Sequence, residues 1–204
     1  MAHMEKFTES AVVNQLRHIE RTIQHPSNTD IDSSRSHQNY SLLSDRGISA
    51  YDYFKWRKSQ LYCYKRSDVK VMVGCIVTAP TDLPTDQQEQ FFQAVHDFLS
   101  SRYGTENCIQ SIVHNDESGR PHLHYYFIPV VTDLNPKHQH LEKICANDVI
   151  NPKELRSFHP ALQKYLNQKG FHVSIQSGIT KAQGGNRTVR QMKQERTMER
   201  GRWY

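Results

Sequence analysis

Residues 114–125 read HNDESGRPHLHY: three histidines and two acids within twelve positions. Imidazoles and carboxylates are the side chains that hold divalent cations and move protons near neutral pH. In an extended strand, side chains alternate between faces. His122 and His124 therefore point the same way, ~6–7 Å apart, while Leu123 enters the other layer. His114 closes the preceding apolar segment, and a hairpin would set it beside them as a third nitrogen donor. The intervening DESGRP contains the glycine and proline that a tight reversal uses. Three neutral imidazoles with open coordination positions suit a divalent transition metal (Mn, Co, Ni or Zn) acting as a Lewis acid on a phosphoryl oxygen. A bare HxH pair is more often a half-buried rim of a sheet. The third histidine, the adjacent acids and the apolar run YYFIPVV set this one apart. His138 and His140, in PKHQH, lack that setting and are assigned to a loop without metal.

The flanking elements must hold this cluster. HMEKF reads as a short strand. ESAVVNQLRHIERTI carries Val12, Val13, Leu16, Ile19 and Ile23 at helical spacing, with Ser10 as N-cap and His18 just off the apolar stripe. Residues 25–39 are a polar, turn-rich loop. YDYFKWRKSQLYCYKR reads as a helix, and VKVMVGCIVTAP as a buried strand ending at Pro80. TDQQEQFFQAVHDFLSSRYG opens on a capping-box pattern (Thr85, Gln88) and stops at Gly104. CIQSIVHND and HLHYYFIPVV are two strands joined by a turn at 117–120. NPKELRSFHPALQKYLNQKG has Asn151 as N-cap, Pro152 at the first helical position and Gly170 past the end. HVSIQSGI is a short strand and RTVRQMKQERTMER a basic helix. The order implies an α/β (α+β) sandwich of two or three layers, with a mostly antiparallel central sheet and flanking helices.

A chain of 204 residues is most simply one catalytic-size unit, placed here at residues 1–180, with a basic C-terminal helix over 181–204. No apolar run approaches the ~20 residues of a membrane span, and no signal peptide opens the chain. Cys63, Cys75, Cys108 and Cys145 form no CxxC pair, which fits reduced thiols in a cytoplasmic protein. The net charge of +5 is concentrated: seven Lys/Arg against two acids follow residue 180, leaving 19 of each before it. A basic tail on a neutral body points to a polyanion, because neutralising phosphates releases counterions.

Two segments together carry a resemblance. RHIERTIQHPSNTDIDSSRSHQNY, a helical histidine followed by a polar SRSH-x-NY loop, and HNDESGRPHLH resemble the two signatures of the MobV (Mob/Pre) family of plasmid mobilisation relaxases, in the family's order. The match spans roughly residues 1 to 195 and includes the RTVRQMK-like helix. It implies an HUH-type nicking domain in a bacterial cytoplasm that cuts one DNA strand at an origin of transfer, remains covalently attached and reseals it. His114, His122 and His124 would hold a divalent metal, Mn²⁺ first, with Mg²⁺, Co²⁺, Ni²⁺ or Zn²⁺ as alternatives. His18 would be the nucleophile, Glu117 would polarise it, and Arg21, three residues on, would bind the scissile phosphate from nearly the same helix face. Tyr40 in the NY pair is the competing nucleophile. Asn28, Arg35, His37, Asn39 and Tyr40 in the loop, then Arg187, Arg190 and Lys193 on the last helix, would contact single-stranded and hairpin DNA. Family members continue into a helical C-terminal region for self-association, which this chain would lead into. The alternatives are a rolling-circle replication initiator with a tyrosine nucleophile and a DNA-binding regulator without catalysis.

Overall fold

The computed structural model describes residues 2–23 and 28–175. The expected basic helix with Arg187, Arg190 and Lys193, and the second half of the strand expected in HVSIQSGI, lie outside those residues. His172 to Ile175, which are described, form no strand.

Five antiparallel strands make the central sheet: β1 (Ala2–Thr8), β2 (Tyr40–Ser41), β3 (Lys70–Thr78), β4 (Cys108–His114) and β5 (His122–Phe127), in the order β1-β3-β5-β4-β2. β3, β4 and β5 are buried on both faces, as their continuous apolar runs require. α1 (Glu9–Ile19) and α2 (Ala50–Ser59) cover one face through Val12, Leu16, Ile19 and Phe54, packed on Met72, Ile109, Ile112 and Tyr126. α3 (Gln88–Tyr103) and α5 (Pro152–Gln168) cover the other, where Phe91, Val95, Leu99, Phe158 and Leu162 meet Val73, Val113, Leu123 and Phe127. The sandwich therefore has three layers. A two-stranded ribbon, β6 (Val130–Thr132) with β7 (Glu142–Ile144), and the single turn α4 (Ala146–Val149) complete it.

Local chemistry accounts for several boundaries. Asn151 caps α5 by accepting from the Glu154 N–H, with Pro152 in the first turn, as expected. Gly104 and Gly170 have φ of 91° and 87°, the left-handed backbone that closes a helix cheaply only with glycine. Gly74 is needed for a different reason: a Cβ there would lie 2.4 Å from the Tyr126 ring, which closely approaches the bare backbone.

Other expectations need correction. α1 stops at Ile19, not Ile23, and its N-cap is Thr8 rather than Ser10. The helix expected through Arg66 ends at Ser59, and residues 60–69 form an irregular connection pinned to β7. Thr85 starts a 3-10 turn, and the α-helix begins at Gln88. The loop at 25–39 contains a 3-10 helix, Ser33–Gln38, with Asp32 as its cap. HLHYYFIPVV is two strands, because Pro129 has no N–H for the ladder and the chain leaves the sheet there to pair β6 with β7.

Candidate functional site

The site begins with register. β4 and β5 pair so that His114 lies opposite His122 and Ile112 opposite His124. The two-residue period then puts all three imidazoles on the α1 face at one end of the sheet. Ring centroids are 5.5 Å apart for His114–His122, 4.5 Å for His114–His124 and 4.9 Å for His122–His124. One ligand atom from each lies within 4.8 Å of the others, a spacing that a single cation can draw together.

Second partners orient two of the rings. His114 Nε2–H donates to the Ile19 carbonyl at 2.7 Å, and His122 Nδ1–H to the Arg120 carbonyl at 3.2 Å. Backbone acceptors of this kind fix the tautomer and leave the opposite nitrogen as a lone pair. His124 is buried, and neither ring nitrogen has a hydrogen-bond partner. Orphaned nitrogens in a buried site cost free energy unless something fills them, and a cation is what two neighbouring imidazoles would share. The residues fit a divalent metal. Burial, together with neighbouring positive groups, depresses the pKa of His114 to about 4 and that of His124 well below the usual imidazole value, so both stay neutral and available as ligands.

His18 stands on the last turn of α1, its ring centroid 6.3 Å from that of His124. Leu16 and Ile19 are buried in the sheet and hold the helix in place, which directs the half-buried His18 to the cluster. Burial lowers its pKa and Arg21 adds to the effect, while Glu117 and Asp116 oppose it, so the ring is held neutral. A neutral imidazole with an available lone pair is a nucleophile.

Arg21 is not on the helix. It occupies the left-handed position after the C-cap, φ 55°, with Thr22 N–H bonded to the Arg17 carbonyl and Arg21 N–H to that of His18. This is the glycine position of a helix-ending motif, and a side chain there costs about 1–2 kcal/mol. The guanidinium offsets the strain through its contacts. It makes a bidentate pair with Asp116 (2.8 and 2.7 Å), reaches Glu117 (2.8 Å) and His114 Nδ1 (3.0 Å), and donates to the His18 carbonyl (3.0 Å).

Asp116 belongs to the site although its spacing in the sequence assigns it no role. It is completely buried and accepts from Arg21 and from Ser36 Oγ (2.7 Å), while its carbonyl accepts from the Asp32 N–H. Burial would raise its pKa, but the hydrogen bonds from Arg21 and Ser36 outweigh it and hold the carboxyl far below the usual range. Its place between His114 and Glu117 in HNDESGRPHLH is the one signal that could have marked it. Glu117 keeps one oxygen on Arg21 and the other 3.9 Å from His122 Nε2.

The loop residues divide. Asn39 accepts from the Asn115 N–H (2.7 Å), Asn28 from the Asp30 N–H (3.1 Å), and Arg35 donates to the Asn115 carbonyl. Asn39 and Arg35 lash the loop to the β4–β5 turn, while the Asn28 bond stays within the loop. Arg35 and His37 remain exposed beside the site. Tyr40 pairs with Val113 and packs with the core on the α3 face, away from the three histidines. Burial, with Glu89 nearby, pushes its pKa up to about 12. His138 donates to Asp133 (2.5 Å) and stacks on Tyr62, outside the candidate metal groups.

The family described as plasmid recombination enzyme (Mob/Pre) matches residues 1–200. The chain belongs to that family. A plasmid recombination enzyme of Bacillus thuringiensis is 33% identical over 184 residues, covering 88% of this chain and 39% of the relative. One from Streptococcus agalactiae is 27% identical over 201 residues, covering 95% and 38%. The chain thus spans about two fifths of the curated relatives it matches. Among solved structures, the Mn-bound crystal structure of the MobM relaxase domain with plasmid pMV158 oriT DNA superposes with a TM-score of 0.76 at 25% identity, covering 96% of this chain and 97% of that one. The three-layer fold described above is thus shared with the MobM relaxase domain. Among the described residues no helix is long and apolar enough to cross a membrane.

Proposed function

We propose that this chain is a metal-dependent relaxase domain that nicks one DNA strand at an origin of transfer through a covalent His18–DNA intermediate. The observation that carries the reading is the convergence of four imidazoles, His18, His114, His122 and His124, on one sheet end, with Tyr40 on the opposite face. The relatives' name and the DNA and manganese in the MobM structure support it. Residues 1–180 would form the catalytic unit, acting in a bacterial cytoplasm. The loop residues Asn28, Arg35, His37 and Asn39, and Arg187, Arg190 and Lys193 beyond it, would contact the strand.

His114, His122 and His124 would hold the divalent cation, Mn²⁺ being the best supported, and bound there it would withdraw charge from the non-bridging phosphate oxygens. At His114 the cation would replace the Arg21 N–H on Nδ1, and Arg21 keeps its bonds to Asp116, Glu117 and the His18 carbonyl. The unprotonated His18 nitrogen attacks phosphorus. A P–N bond forms and the P–O3′ bond breaks. The proton on the other ring nitrogen is lost to solvent and the departing 3′ oxygen takes one up, while the Glu117 charge, which opposes the lowering of the His18 pKa, would favour the positive charge that develops on the ring. The phosphoramidate keeps the free energy of the broken ester, so the 3′-OH can later reverse the step without ATP. A labelled single strand carrying the origin of the host element tests the scheme. Mn²⁺ should yield a shortened strand and a protein–DNA adduct, EDTA should yield neither, and tight binding without cleavage would leave a non-catalytic regulator.

Asp116 would act as a positioning residue, because it fixes Arg21, and Arg21 touches His18, His114 and Glu117. Asp116→Asn keeps the shape but loses the charge and half of the bidentate pair. Cleavage kcat is expected to fall about 10–100-fold, as for supporting groups around other metal sites, with KM for DNA little changed. A rise in KM alone would assign Asp116 to the DNA-binding loop instead.

A further inference from the structure

A second site lies at the far end of α1. The connection from α2 to β3 folds back to make a groove of about 760 Å³ whose lining includes Lys55, Lys58, Lys65 and Arg66 against one acid, Glu9. The aromatic wall is fixed in advance. Tyr62 is pinned by backbone hydrogen bonds to Glu142 and Ile144 and stacks on His138, 3.4 Å between centroids, which Asp133 anchors in turn. Tyr64 packs edge-on against Tyr62 and is 48% exposed, leaving ring surface open to a partner.

The cations are held lightly. Lys55 pairs with Asp52 and Arg66 with Asp68, all with side chains more than half exposed, and Lys58 pairs with Glu9. Exposed pairs of this type contribute little and exchange readily for another anion. Lys65 has no ion-pair partner among the described residues. The open Tyr64 ring, backed by the fixed Tyr62–His138 stack and with Arg66 5.9 Å from its centre, stands among exchangeable cations, an arrangement that suits a single nucleic-acid strand with phosphates on the cations and a base on the ring.

We propose that this groove is a second contact for single-stranded DNA, separate from the histidine site. The eleven residues of α1 set the two ends ~16 Å apart. A strand of ~20 nucleotides is therefore long enough to reach both sites at once. The inference rests on the relaxase reading only for the source of the strand. A duplex lacks the free base faces that Tyr64 would take.

Fluorescence anisotropy of this chain with labelled oligo(dT) of ~6 and ~20 nucleotides tests the groove without needing the target sequence. The longer strand is expected to bind more tightly. Lys65→Ala with Arg66→Ala should weaken it about tenfold at ~0.1 M salt and flatten the log–log salt dependence by about 1.4, at ~0.7 per phosphate contact. Tyr64→Ala should weaken it several-fold with no change in slope. Binding of Mn²⁺ should stay as in wild type, and the short strand, which can occupy either site alone, should lose less than the long one that reaches both. All three positions are exposed, and unchanged melting temperatures would exclude misfolding. Unchanged affinity and slope for the long strand would overturn the proposal. So would equal losses on both lengths, or a loss confined to a hairpin duplex with Tyr64→Ala silent. Strand cleavage is read separately: a wild type that binds through the groove but never cuts would sink the relaxase reading and leave the groove standing.

Discussion

His18→Ala is expected to abolish cleavage and the protein–DNA adduct, a loss of ~10⁴-fold or more, because no neighbouring group can take over the attack. Tyr40→Phe should stay within about threefold of wild type. The contrast follows from which face each residue occupies. Tyr40 pairs with Val113, whose side chain lies in the core between the sheet and α3. Its hydroxyl would have to cross the sheet to reach a phosphate held by His114, His122 and His124. Its pKa near 12 also makes deprotonation harder. His18 is on the correct face and is held neutral by burial. Mass spectrometry of the adduct decides between them. A phosphoramidate on His18, labile in acid, is the expected result. An acid-stable adduct on Tyr40 would require β2 to leave the sheet, and would return the rolling-circle chemistry to consideration.

The histidine cluster is legible in the sequence because it depends on local rules. HxH parity is a property of any strand, and a short turn fixes the partner of His122, so spacing alone places His114. The caps at Asn151, Gly104 and Gly170 are equally local. Facts set by distant partners are not legible in the same way. The face of Tyr40 depends on β2 joining β4, more than 70 residues away, and parity alone cannot choose a side without that register. HxxR has helical spacing, which puts Arg21 on the helix when only local rules are applied. The helix ends earlier because Asp116 and Glu117, 95 and 96 residues on, bind the arginine in a conformation that arginine rarely adopts. Asp116 looks like one polar turn residue among several; its complete burial appears only when residues 30–39 fold over it.

Strain at Arg21 and unpaired nitrogens at His124 share an origin: the site is arranged for a charge, and the chain is less stable without one. His124→Leu should therefore have opposite effects on stability and activity. Metal-free, the variant is expected to be more stable than wild type by about 1 kcal/mol, since it removes two buried unsatisfied polar atoms beside Ile76 and Ile112 and inserts an apolar chain of similar size. The gain should grow as pH falls. A histidine whose folded pKa is depressed binds its proton only in the unfolded chain, so wild type loses stability from pH ~6.5 down toward the folded value, about 4 for His114. His124 contributes to that slope in wild type, and the variant keeps only the share of the remaining histidines. Activity should move the other way. Losing one of three ligands forfeits several kcal/mol of charge stabilisation, and cleavage should fall by ~10³-fold or more. Urea titrations in EDTA at pH ~7 and ~5, beside Mn²⁺ affinity and cleavage rates, measure all three. A variant less stable than wild type without metal would mean that the His124 nitrogens are satisfied in solution, and the case for a cation between these rings would lose its strongest physical support.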